Sequence, residues 1–179
     1  SVHVAKIFNT NWKVVQEAFS EAFHVVATHP QLLSSIGDAN TQYDWKGNYS
    51  RAITPNGTPS PHIKFTPTEQ EMFDAVADKR LDEESTVILP EGTTARQTFG
   101  NGGRATMREI FGDDADKFSD AEFSDSIYYT LFPNFHPWGA FNRICYRFRP
   151  YEDRHDMSIM ECMYLEPYDE SKPKPPSAP

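Results

Sequence analysis

The sequence predicts an α+β fold in which an antiparallel β-sheet grips a long helix, with further helices on one side. Three observations predict it. Residues 11–30 are amphipathic with helical period, residues 66–81 and 94–111 read as two further helices, and the last third is built of short Ile-, Tyr- and Phe-rich runs bounded by prolines. At 179 residues and 38% hydrophobic, the chain is long enough for one domain with a substantial core.

Taken in order, residues 2–8 alternate Val2, Val4 and Ile7-Phe8 as a short strand, and Asn11 is placed to cap a helix that starts at Trp12. Along residues 11–30, Val15, Phe19 and Phe23 recur every four residues beside Val14, Ala18, Ala22 and Val26, which predicts a buried apolar face. Residues 31–36 continue as a helical turn that Gly37, Asp38 and Asn40 end. Residues 41–54 suggest strands with a turn at Gly47-Asn48, and residues 55–61 are a proline-rich loop, with His62 solvated at its edge. Thr66, Pro67 and Glu69 form a helix start, and Met72, Phe73, Val76, Ala77 and Leu81 make that helix's core face. The next helix, 94–111, is expected to break at its run of glycines, Gly100, Gly102 and Gly103. No strand precedes that run and no Gly-Lys-Ser/Thr follows, so a phosphate loop is excluded. Residues 112–126 are acidic, with Phe118 and Phe123 as docking points. Residues 126–133, 141–148 and 157–165 read as three antiparallel strands, with a turn at 152–156.

Composition excludes several functions. The net charge is −9 with no block of Lys or Arg, which argues against nucleic acid or an anionic membrane as partner. Cys145 and Cys162 are isolated, so the chain cannot assemble an iron–sulfur or structural zinc site by itself. No apolar run approaches about 18 residues and no signal peptide is visible, so a cytoplasmic protein is expected. Ser1 begins mid-pattern, so a piece of something longer is expected.

Chemistry concentrates in residues 11–30. On an unbroken helix Glu17, Glu21 and His24 fall within about 60° of one another and form one polar stripe. His29, five residues after His24, would diverge by about 140°, but it precedes Pro30, and a residue before proline is pushed out of α geometry. That break can swing His29 back towards His24. Two readings stand: a metal-binding pair, or one exposed and one hydrogen-bonded histidine at a helix end.

With these residues in place, the sequence resembles the catalytic domain of the Rieske non-haem iron oxygenases, the large (alpha) subunit of aromatic-ring-hydroxylating enzymes. NWKVVQEAFSEAFHVVATHP is similar to that family's iron-binding segment, N-W-K, E-x-F, D/E-x-x-H-x4-H-P, and YYTLFPNFHPW and CYRFRP resemble its sheet strands near the active site. The resemblance covers residues 1–167 as part of a catalytic domain and leaves 168–179 as a proline-rich tail or linker. It implies that His24 and His29 are the two histidines of a 2-His-1-carboxylate iron(II) site. Glu21 stands where the family usually has an aspartate that couples the iron to the electron donor, and Ala18 where relatives often have asparagine. The resemblance further implies an apolar pocket with Phe19, Phe23, Val26, Phe132 and Asn134 as lining. The third ligand, an aspartate on a later helix, and the [2Fe-2S] Rieske cluster, held by an N-terminal domain, are expected outside this chain, which alone should bind iron weakly or not at all.

The implied activity is dihydroxylation or monooxygenation of an aromatic or related apolar substrate, driven by NAD(P)H through a reductase, with or without a ferredoxin. The implied assembly is a homo-oligomer, a trimer or a multiple of one. Two readings compete. A carboxylate-bridged di-iron protein would use Glu-x-x-His on helices, a step repeated at Glu152 and His155. A START-like (helix-grip) module would bind an apolar small molecule without metal.

Overall fold

A computed structural model describes residues 2–77, 85–139, 141–165 and 170–173. The expected contact of Leu81 and all but 170–173 of the expected tail lie outside the described residues.

β1 (Val2–Phe8) forms as its alternation predicts, and Asn11 caps α1 (Trp12–Glu17), its side-chain oxygen accepting the Lys13 amide at 3.0 Å. There the expected long helix stops. The amides of Phe19 and Ser20 turn to carbonyls three residues back, both at 2.9 Å, and the Ser20 hydroxyl donates back to the Gln16 carbonyl at 3.2 Å. The tightened turn lays Phe19 on the sheet, its ring centre 4.9 Å from that of Tyr146 and 5.4 Å from that of Phe148. Burying such a ring contributes about 1.5–3 kcal/mol, more than the roughly 1 kcal/mol of a helical hydrogen bond, so packing overrides periodicity. The helix resumes for one turn only, as α2 (Val25–Thr28), followed by a 3₁₀ turn at Pro30–Leu32. The apolar face is correspondingly divided: Ala22 and Val25 are buried, whereas Val14, Phe23 and Val26 are exposed.

After a second 3₁₀ turn at Asp38–Asn40, β2 (Gln42–Lys46) and β3 (Tyr49–Thr54) are joined at the expected Gly47-Asn48 turn, where Gly47 adopts φ +58°. α3 (Glu69–Val76) starts two residues later than expected. FTPTEQE contains two overlapping T-x-x-E patterns, and Thr68 with Glu71 forms the capping box, leaving Glu69 to accept the Ala95 amide at 2.8 Å. α4 (Ala95–Phe111) runs unbroken through its glycines. After a 3₁₀ stretch at Gly112–Lys117 comes α5 (Asp120–Ser124), which explains them. A Cβ on Gly100 would stand 2.7 Å from Asp120 Oδ1, and one on Gly103 would stand 2.8 Å from Phe123 Cβ. The glycines admit a neighbouring helix rather than a break.

The C-terminal strands are β4 (Ser126–Leu131), β5 (Phe135–Pro137), β6 (Ile144–Tyr151) and β7 (Arg154–Tyr164). β5, which the sequence reading missed, is three residues long, too short to display alternation. The turn between β6 and β7 contracts to Glu152-Asp153, with Glu152 at φ 51°, and His155 already belongs to β7. Glu152 and His155 therefore share no helix, and the di-iron reading loses its second half-site.

These strands make one seven-stranded sheet in the order β1-β7-β6-β5-β4-β3-β2, with β1, β7, β6, β5 and β4 joined in turn by antiparallel ladders. The fold is α+β, an antiparallel sheet with a helix, α1, packed on β6 and β7, and with the 17-residue α4 and shorter helices besides. The chain divides into two compact units, Ser1–Glu21 with Tyr43–Ala52 and Tyr128–Pro179, and Ala22–Gln42 with Ile53–Ile127. In the first, Phe148 and His136 are almost fully buried beneath Phe19 and Tyr146. In the second, Ala22, Val25 and Leu33 form one small core, and Met72, Phe73 and Ala95 form another, with Phe73 stacked on Phe99. No helix among the described residues is long and apolar enough to cross a membrane.

Candidate metal pair and its surroundings

His24 and His29 sit at the two ends of α2, and the structure brings their rings together at a centroid separation of 5.3 Å with planes at 74°. The reason is local. His24 is the N-cap, with helical φ −73° and ψ −17°, whereas His29, held before Pro30, leaves the helix at φ −130° and ψ 48°. This departure cancels the divergence that an unbroken helix would impose. The backbone is anchored at both histidines: the His24 carbonyl accepts the Thr28 amide at 2.8 Å and its hydroxyl at 2.9 Å, and the His29 amide donates to the Val25 carbonyl at 2.9 Å. Val25, buried against Ala22 and Leu33, fastens the turn to its unit. His29 is exposed and His24 partly so, which leaves the pair open to a solute.

Two imidazoles that share a cation about 2.1 Å from each nitrogen have ring centres about 5 Å apart, so the separation allows a shared cation, and it is equally that of an ordinary edge-to-face ring contact. Among the described residues no group of three or more His, Cys, Asp or Glu side chains is gathered to hold a metal. The polar stripe of Glu17, Glu21 and His24 is not built as expected. Glu17 ends α1, Glu21 stands in the irregular stretch between α1 and α2, and His24 opens α2, so no common helix aligns them.

The expected pocket residues are drawn from both compact units. Phe23, just before His24, and Val26, between the two histidines, are exposed and belong to their unit, whereas Phe19, Phe132 and Asn134 belong to the other. Phe19, partly buried, packs on Tyr146 and Phe148. The Asn134 carbonyl accepts the Phe148 amide at 3.0 Å. Phe132 is exposed at the rim of a cavity whose walls include Gln16, Trp45, Tyr49 and Thr130.

Sequence reasoning missed two polar groups in the sheet. His136, 1% exposed, has its Nδ1 3.3 Å from Thr130 Oγ1, and Thr130 is in turn 3.4 Å from Ser20 Oγ. Burial pushes the His136 imidazole down to about 4, against a weaker opposing pull from the Phe19 carbonyl, so it is neutral at physiological pH. Glu161, also buried, faces Arg147 in the β6–β7 ladder and is held by it in a fork of 2.6 and 2.8 Å; Arg149 and His3 add contacts at 3.2 Å each. The Arg147 fork holds its carboxyl down at about 2. The only available signal was the position of His136 among the aromatics of FHPW and of Arg147 and Arg149 in CYRFRP.

Among known proteins, no curated sequence matches the chain. Two solved structures align with 90% of it while the chain spans 32% of theirs. They are a naphthalene 1,2-dioxygenase mutant bound to phenanthrene (15% identity, TM-score 0.48) and naphthalene 1,2-dioxygenase with indole in its active site (13% identity, TM-score 0.46). The chain thus spans about a third of the length of these proteins. A family model described as the ring hydroxylating alpha subunit (catalytic domain) matches residues 2–176, and the chain belongs to that family.

Proposed function

We propose that the chain is part of the catalytic domain of an iron(II)-dependent oxygenase that hydroxylates an aromatic or related apolar ring. The observation that carries this reading is the His24–His29 pair, converged at the two ends of a single helical turn within a segment similar to the family's iron-binding motif. His24 and His29 would hold the iron, and a carboxylate from outside the described residues would complete the triad. Iron bound there supplies oxygen activation. Phe23 and Val26, exposed on the same segment, offer apolar surface that excludes water and orients a flat substrate. Glu21 would link the site to an electron donor, a Rieske [2Fe-2S] cluster fed from NAD(P)H by a reductase, with or without a ferredoxin, in a cytoplasmic homo-oligomer.

The test is iron content of the full-length protein. His24→Ala and His29→Ala should each lower the mononuclear iron by tenfold or more while leaving any [2Fe-2S] absorbance intact. Unchanged mononuclear iron in both variants would overturn the oxygenase reading and leave a START-like module that binds an apolar molecule without metal.

A further inference from the structure

Asp38 opens the 3₁₀ turn that precedes β2, and its side chain is 3% exposed. The proposed reaction does not use it. Its Oδ1 is buried without a hydrogen-bond partner, a costly state for a carboxylate unless a cation meets it. His62 Nε2 stands 4.0 Å from Oδ2, beyond hydrogen-bonding distance. The His62 ring is half-exposed, so a small solute reaches the pair from solvent. Both residues belong to the same compact unit.

The backbone holds the two in place. The Ser60 amide donates to the Leu33 carbonyl at 2.8 Å and the Thr58 amide to the Ser35 carbonyl at 3.2 Å, which fastens the proline-rich loop to residues 33–35. On one side the Gly37 amide donates to the Pro55 carbonyl at 2.9 Å and the Thr41 hydroxyl to the Asp38 carbonyl at 2.7 Å. On the other, the His62 amide donates at 3.1 Å to the hydroxyl of Ser60, which is itself buried. Groups fixed in this way lose little freedom when a ligand joins them. A hydrogen bond from His62 to Oδ2 would still leave Oδ1 alone, whereas a cation bound across both oxygens satisfies the carboxylate and takes the lone pair of Nε2 as well. Ligand atoms about 2.1 Å from a tetrahedral metal stand about 3.4 Å apart, so closing the gap by about 0.6 Å seats both side chains. Imidazole and carboxylate without sulfur suit a divalent ion such as zinc. Water takes the remaining positions, because among the described residues no third His, Cys, Asp or Glu joins the pair.

We propose that Asp38 and His62 form a binding site for a divalent transition-metal ion of the zinc type, separate from the His24–His29 pair. The inference does not rest on the oxygenase reading. Its test uses the whole chain carrying His24→Ala and His29→Ala, so that the other pair takes no metal, and zinc chloride as probe in titration calorimetry. This parent should bind zinc saturably, and adding Asp38→Asn or His62→Gln should weaken the binding by about tenfold or more. Asp38→Asn also separates a metal site from a plain ion pair. Without zinc it removes an unsatisfied buried charge, so the thermal midpoint should hold or rise; with zinc the midpoint of the parent should rise and that of the variant should not. No zinc bound by the parent, or binding indifferent to both substitutions, would overturn the site. A lowered midpoint of Asp38→Asn without zinc would overturn it too, by showing that His62 already holds the carboxylate.

Discussion

His136 is an imidazole with almost no access to water, and burial sets its charge state. Its folded value of about 4 lies below the ordinary 6.5, so between these pH values the unfolded chain binds the proton and the folded one does not. Its contribution to stability is fully present above about pH 6.5 and is lost as the pH falls towards 4, by about 3 kcal/mol in all. His136→Phe keeps an aromatic ring against Phe148 and removes the titration. The denaturant midpoint of the wild type should fall between pH 7 and pH 4, and that of the variant should fall distinctly less; equal slopes would show that another group governs this range.

At the scale of elements, close approach rather than chain flexibility accounts for the glycines of α4. Gly103→Ala adds helix propensity worth about 0.8–1 kcal/mol, yet its new Cβ would meet Phe123 Cβ at 2.8 Å, in a place where backbone or side chain must shift. The clash wins, and the variant should lose about 1–2 kcal/mol by urea denaturation, while Gly102→Ala, with nothing within 4 Å, should be neutral or stabilising. A variant at 103 more stable than wild type would refute this account of the α4–α5 contact. The pair of outcomes also marks what was legible in sequence. Caps, turns and long alternations are local, so β1, the Gly47-Asn48 turn and the C-terminal strands could be read from residue types. The break after Glu17 and the continuity of α4 depend on Tyr146, Phe148 and Phe123, residues distant in sequence, and local pattern does not encode them.

For the whole molecule the same distinction decides how much of the site could be read. His24, His29 and Pro30 are close in sequence, so their convergence followed from one rule about residues before proline. Glu161 meets its partners only through strand register, which pairs it with Arg147 and with Ala5 of β1 across a sheet. It fastens three strands at once, and it does so in a chain with 26 acidic and 17 basic side chains and a net charge of −9. Mild acid relieves that net repulsion, so the bulk charge alone would favour the folded state as the pH drops towards the isoelectric point near 5.1. Glu161 acts in the opposite sense. Its folded value of about 2 lies below an unfolded value near 4.3, so its stabilisation is present above about pH 4.3 and is lost as the pH falls through 2. Removing one partner of a buried ion pair costs about 3–5 kcal/mol, but Arg147 and Arg149 are half-exposed and water can take up their charge, which lowers the expected cost to about 2 kcal/mol. Glu161→Gln should therefore lose about 2 kcal/mol at pH 7 and little more between pH 4.3 and 2, whereas the wild type loses its share within that window. Urea denaturation at pH 7, 4.3 and 3 checks this, and a variant as stable as wild type at pH 7 would show that the carboxylate does not fasten the three strands.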